Sequence, residues 1–210
     1  MDTEPRLQVR NLCCIRQQRP LFANLCFQVQ AGEALLIEGP NGSGKSSLLR
    51  LLTGLATPSS GEILWQGGDI QHAREEYWKH IHYIGHANGI KLGLTVIENL
   101  QLAQSLSLEP ASATPEDVLH SWNLQACQAM PAKNLSAGQK RRLALARLLM
   151  LPKPLWILDE PVTALDADTQ VLFLSHLEAH LQKRGMAIIS SHHLLPLQSG
   201  TTATLRLPSC

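Results

Sequence analysis

One nine-residue stretch limits what this chain can become: GPNGSGKSS, Gly39 to Ser47. It follows the compact apolar run EALLIEG, which reads as a buried strand, and precedes KSSLLRLLTGL, which places Leu48, Leu51, Leu52 and Leu55 on one helical face. Strand, glycine-rich loop and helix form the context a P-loop requires. Gly39, Gly42 and Gly44, with Pro40, Asn41 and Ser43 between them, let the backbone wrap around phosphate. Main-chain N–H groups then face the phosphate oxygens, and the helix N-terminus adds its dipole. Lys45 is placed to reach β- and γ-phosphates, Ser46 to bind Mg2+, and Ser47 completes the phosphate-binding set.

The order of the remaining elements suggests an α/β fold, because short apolar runs alternate with helical patterns. PSSGEILWQGGDI reads as a turn and short strand closing on Gly67-Gly68. Past His86 the texture becomes helical. Thr95 with Glu98 has the spacing of a capping box, Thr114-Pro115 with Asp117 opens a second helix, and Ser136 caps a third. Strand texture returns in LWILDE and MAIISSHH. One domain over 1–210 is expected, with a core from 1–86 and 153–210 and a helical insert over 87–152. SLSLEPASATPED, from Ser105, is the expected flexible loop.

Composition narrows the function classes. A formal net charge of +1 argues against a nucleic-acid binder working through its overall field. No run approaches the roughly 20 apolar residues that span a bilayer, and the first ten residues hold no apolar signal region. The expectation is a chain that meets a membrane only through partners. Cys13, Cys14, Cys26, Cys127 and Cys210 are odd in number and form no CxxC pair, so neither a disulfide framework nor a zinc site is favoured. His176 and His180 lie one helical turn apart without further ligands, which predicts a surface helix. Lys140, Arg141 and Arg142 read as a solvated helix face.

LWILDEP supplies a second half to the P-loop. Its apolar strand delivers Asp159 to the sheet edge, where it can hold Mg2+ through water, and places Glu160 to polarise an attacking water. LSAGQ, Leu135 to Gln139, follows in the order P-loop, LSAGQ, DE strand. With it the chain resembles the ATP-binding subunits of ABC transporters over essentially its full length. The resemblance implies a P-loop ATPase core with an antiparallel β-subdomain and an inserted helical subdomain. It implies a head-to-tail dimer that sandwiches ATP and Mg2+, with Leu135, Ser136, Ala137, Gly138 and Gln139 facing the nucleotide on a second subunit's P-loop. It also makes Asp166 of ALD the D-loop residue crossing that interface, and His192 of SSHH the switch histidine beside the γ-phosphate, with His193 adjacent. The family's adenine-stacking aromatic is missing upstream; Ile15 and Arg16 stand there, and the Arg16 guanidinium can stack on a base instead.

The family's glutamine loop carries His86 in this chain, and no glutamine occurs from His82 to Leu100. An imidazole can donate or accept one hydrogen bond there, with shorter reach. GHANGIKLGLTVIENL, together with LLRLLTGL, SGEILWQG, LSAGQKRRLALARL and LWILDEP, closely resembles the haem exporter ATP-binding subunits of bacterial cytochrome c maturation. Haem binding by His86, His80 or His82 is disfavoured; the latter two read as the polar face of a strand. The resemblance implies integral membrane permease partners at the cytoplasmic face of the bacterial inner membrane. The rival reading is an ATP-binding subunit for a drug or lipid exporter. A soluble ABC protein on ribosomes or DNA is a further rival, and a P-loop GTPase a distant one, since no NKxD motif occurs.

Overall fold

The structure is a computed structural model describing residues 7–107, 110–192, 195–197 and 201–208. An antiparallel sheet forms from β1 (Leu7–Arg16), β2 (Arg19–Val29), β4 (Ser60–Trp65) and β5 (Gly68–Asp69), in the order β2-β1-β4-β5. Gln17 and Gln18, at φ 47° and 61°, turn β1 into β2 as a tight two-residue hairpin. A second sheet joins β3 (Glu33–Glu38), β6 (Ile81–Ile84), β7 (Leu155–Asp159), β8 (Met186–Ser190) and β9 (Thr201–Arg206), in the order β6-β7-β8-β3-β9. Every pairing in it is parallel.

Both faces of the parallel sheet are covered, so its central strands β7 and β8 are apolar up to their last residues. All five residues of β7 and all five of β8 are buried. Alternation divides each strand between two cores. Leu155, Ile157, Met186, Ile188, Leu35 and Ile37 face the antiparallel sheet and α1 (Lys45–Leu52). Trp156, Leu158, Ala187, Ile189 and Leu36 face the opposite core, which takes in most of the other helices. After α2 (Arg74–Lys79), those helices are α3 (Val96–Ser105), α4 (Pro115–Ser121), α5 (Ala137–Met150) and α6 (Ala167–Gln182). The predicted helix starts at Thr95, Thr114 and Ser136 all carry complete capping boxes.

Several expectations change. α1 stops at Leu52 because Gly54 takes φ 71°, so Leu55 leaves the apolar face and is half exposed. His176 and His180 do not form a solvated stripe. His180 stacks on Trp156, with ring centroids 3.9 Å apart, and His176 packs against Trp122 at 5.0 Å. β6 has no polar face: His82 is buried and its Nε2 meets Leu151 O at 2.9 Å, while His80 follows the end of α2. Of the expected flexible loop, 108 and 109 lie outside the described residues, and the Ser112 N–H is tied to Met150 O at 2.9 Å. His193 and Cys210 also lie outside them.

Burial lowers the pKa of His82 and of His180 to about 4, below the usual value of 6.5. The folded state therefore favours the neutral rings, and the unfolded chain binds more protons below about pH 6.5. Stability is fully present above pH 6.5 and is lost as pH falls toward 4, by about 2 kcal/mol per histidine between pH 7.5 and 5. Denaturant unfolding at those two pH values checks this. His180→Phe, which keeps a ring on Trp156, is expected to shed about half of the dependence.

Candidate functional site

Four strands of the parallel sheet end side by side, each about 4.8 Å from the next. β3 runs into the Gly39 loop, β8 into Ser191-His192, β7 into Asp159-Glu160 and β6 into Gly85-His86. Only β8 separates the glycine-rich loop from the carboxylates, a gap of about 10 Å. In open parallel sheets this carboxyl edge is where ligands bind.

Gly44, at φ 96°, turns the loop into the first turn of α1, a conformation that a side chain would strain. Lys45 begins the helix. Its buried ammonium donates to Gly39 O at 2.7 Å and Pro40 O at 3.1 Å, and so lies within the loop itself. Ser43 Oγ is buried with no hydrogen-bond partner among the described residues, a donor left for a ligand. Ser46 is exposed at the mouth. A cleft of about 580 Å3 opens above, walled by Arg16 and Arg19 of the β1–β2 hairpin, by Asn41, Lys45 and Ser47, and by Glu160. Arg16 thus lines the same cleft as the phosphate loop, and Leu135–Gln139 form no part of its wall.

The carboxylates are fixed through β8. Ser190 Oγ donates to Asp159 Oδ1 at 2.6 Å and accepts from the Glu160 N–H at 3.0 Å. Glu160 has φ 49°, a left-handed conformation costing roughly 1–2 kcal/mol for a non-glycine residue. One of its carboxylate oxygens meets His192 Nε2 at 3.0 Å and the other accepts from Thr163 Oγ1 at 3.3 Å. The two expected hydrolytic residues are therefore in direct contact. Such a pair can hold a water or move a proton at Glu160.

For Mg2+, Ser46 and Asp159 offer a hydroxyl and a carboxylate, hard oxygens of the type this cation takes. No cluster of three or more His, Cys, Asp or Glu side chains suited to a metal occurs among the described residues.

LSAGQ folds as a helix start. Ser136 Oγ accepts from the Gln139 N–H, and Gln139 Oε1 accepts from the Ser136 N–H. Leu135 is buried, whereas Ser136 and Ala137 are exposed. A Cβ on Gly138 would sit 2.9 Å from Ala164 O, so this glycine lets the ALD turn lie directly against the segment. Asp166 caps α6, accepting from the Thr169 N–H at 2.8 Å; hydrogen bonds from the Thr169 hydroxyl and then from its N–H hold its carboxyl below the usual range. His86 is exposed in the loop after β6.

Arg141 does not lie on the solvated helix face expected of it. Rather than facing solvent, it is 4% exposed and reaches Asp159, Glu160 and Pro161 on one side and Gly85 and Asn88 on the other. Arg147 adds hydrogen bonds to Asn88 O and Gly89 O.

Residues 22–163 match the ABC transporter family. The chain is 47% identical over 193 residues to the cytochrome c biogenesis ATP-binding export protein CcmA of Methylococcus capsulatus, covering 91% of this chain and 93% of that protein. It is 46% identical over 202 residues to CcmA of Nitrosomonas europaea, covering 96% and 95%. Among solved structures, it resembles the ATP-binding subunit of an ABC transporter, with TM-score 0.80, 25% identity, and 90% of this chain and 80% of that one covered. A dimeric ATP-binding cassette in a post-hydrolysis state, bound to ADP and Pi, is also similar, with TM-score 0.79, 22% identity, and 89% and 88% covered.

Two substitutions separate the halves of the site. Lys45→Ala is expected to remove ATP binding, measured by equilibrium titration; unchanged affinity would contradict the phosphate-loop assignment. Gly138→Ala pushes the exposed segment away from Ala164, and is expected to leave ATP affinity within about threefold while slowing hydrolysis at least tenfold, a loss of about 1.4 kcal/mol in barrier terms.

Proposed function

This chain belongs to the ABC transporter family of ATP-binding cassettes, an ATPase family, and from that premise we propose that it is the ATP-hydrolysing subunit of a membrane complex for cytochrome c biogenesis. The observation that carries this reading is the likeness to CcmA at nearly half of all positions along most of both chains. The ordered loops of the parallel sheet support the chemistry.

In this reading ATP lies over the glycine loop. The N–H groups of 41–47 and the Lys45 ammonium bind its β- and γ-phosphates, and the Arg16 plane stacks on the base. Ser46 and Asp159 hold Mg2+, which neutralises charge on the phosphates when bound. Glu160 orients water and takes its proton, and His192 holds the Glu160 carboxylate and faces the γ-phosphate. Help of this kind is typically worth ~10²–10⁴ in rate.

A second copy completes the site. The exposed Ser136-Ala137 helix start stands apart from the chain's own cleft, and its N-terminal N–H groups suit a γ-phosphate held by another chain. A head-to-tail pair places each Ser136–Gln139 segment on the partner's ATP, with the Asp166 turn at the seam. No helix among the described residues is long and apolar enough to cross a membrane. In this reading, attachment at the cytoplasmic face of the inner membrane runs through integral membrane permease partners, pushed by the segment around 86 to 100. The work done is export of haem or release of a haem-loaded chaperone.

The test is haem-stained periplasmic cytochrome c in cells whose only copy carries Glu160→Gln, with a wild-type copy and an abundance check alongside. Loss of the bands is expected; unchanged bands would assign the chain to a different exporter. His86→Gln is expected to keep basal hydrolysis within about threefold and to weaken cytochrome c maturation, since hydrolysis chemistry resides in Glu160 and His192. A collapse of basal hydrolysis in that variant would move His86 into the chemistry.

A further inference from the structure

Arg141 uses every hydrogen its guanidinium has. Nε donates to Pro161 O at 3.0 Å. One terminal nitrogen donates to Gly85 O at 3.0 Å and Asn88 Oδ1 at 3.1 Å, and the other to Asp159 O at 2.7 Å and Glu160 O at 2.9 Å. Those are five donors and five acceptors, none of them a carboxylate. The left-handed Glu160 backbone is what brings the carbonyls of 159, 160 and 161 onto one cation. The same cation closes on the loop that carries His86. Its own Cα lies five positions past Ser136, on the helix that the exposed LSAGQ segment begins.

We propose that Arg141 is a positioning residue for hydrolysis, tying the Glu160 peptide and the His86 loop to helix α5 so that the Glu160 carboxylate is aimed only while α5 is seated. The proposal rests on the reading of Glu160 as the residue that activates water. In the head-to-tail pair, α5 is seated by ATP on the partner subunit, so each carboxylate answers to the nucleotide of the other site. Lysine is no replacement: it has three donors around a point charge and cannot span two loops with a planar fork. Glutamine offers two donors. Both fit the volume better than alanine does.

The experiment compares Arg141→Lys, Arg141→Gln and Arg147→Gln in the full-length chain. It measures ATP affinity, thermal midpoint, and kcat and KM for ATP hydrolysis. Both Arg141 variants are expected to lose kcat about a hundredfold, the scale on which a misplacement of about 1 Å acts. ATP affinity and KM are expected to hold within about threefold, because Lys45 and its loop are untouched. Arg147→Gln, which releases Asn88 and Gly89 but not the Glu160 peptide, is expected to keep kcat. In a Glu160→Gln background, Arg141→Gln is expected to lower the residual rate no further, since it acts through that side chain.

Three results would overturn the proposal. The first is unchanged kcat in both Arg141 variants. The second is a fall in ATP affinity and thermal midpoint that accounts for the lost rate, together with full additivity in the Glu160→Gln background, which would mark Arg141 as structural only. The third is normal turnover by Glu160→Gln alone, which would remove the base reading itself. A slow Glu160→Gln chain beside a fully active Arg141→Gln chain would reject the inference and leave that reading standing.

Discussion

Everything in this molecule depends on a parallel sheet buried on both faces. Hydrogen bonding between neighbouring parallel strands forces all of their carboxyl ends to one edge. Burial on both sides removes polar residues from the strands, so chemistry is confined to the loops beyond them. Buried His82 within β6, and Asp159 and Ser190 at the ends of β7 and β8, are the exceptions, and Ser190 shows how such a group is used. It is a fully buried hydroxyl at the last position of β8, and it lies between Asp159 and the Glu160 amide. The sheet thus decides where function can be before any catalytic residue is chosen.

Two covering layers give that edge its two kinds of group. The antiparallel sheet and α1 bury one face and bring the hairpin of Arg16 and Arg19 over the glycine loop. The helices from α3 to α6 bury the other face and bring the exposed helix start at Ser136 to a place outside that cleft. On the proposed reading, a chain arranged in this way carries half of a nucleotide site on each of two surfaces. Association with a second copy is then the economical way to close it.

Local signals carried much of this into the sequence. Capping boxes involve residues three apart, so Thr95, Thr114 and Ser136 were legible without any tertiary knowledge. The strand–glycine–helix order fixed β3, the loop and α1 together. Contacts that depend on a remote partner were not legible. His82 was expected on a polar face because nothing local says that Leu151, just past the end of α5, lies beside it. His180 was expected in solvent because the Trp156 that receives it is 24 positions away. Arg141, between Lys140 and Arg142, looks like one of three equivalent charges until α5 is docked. Four of its five acceptors are backbone carbonyls, which carry no trace in sequence. Leu55 failed for a different reason: the apolar period continued past a glycine that ends the helix.

The fork of Arg141 also has a consequence for how the chain can vary. Four of its five acceptors are main-chain oxygens, at Gly85, Asp159, Glu160 and Pro161, and such atoms are blind to side-chain identity. Exchanges at those positions leave the fork intact wherever the backbone path survives. Removing or adding a single residue between 85 and 88, or between 159 and 161, does not, because it slides an oxygen out of reach of a rigid planar cation. Length, more than letter, is what these two turns must conserve.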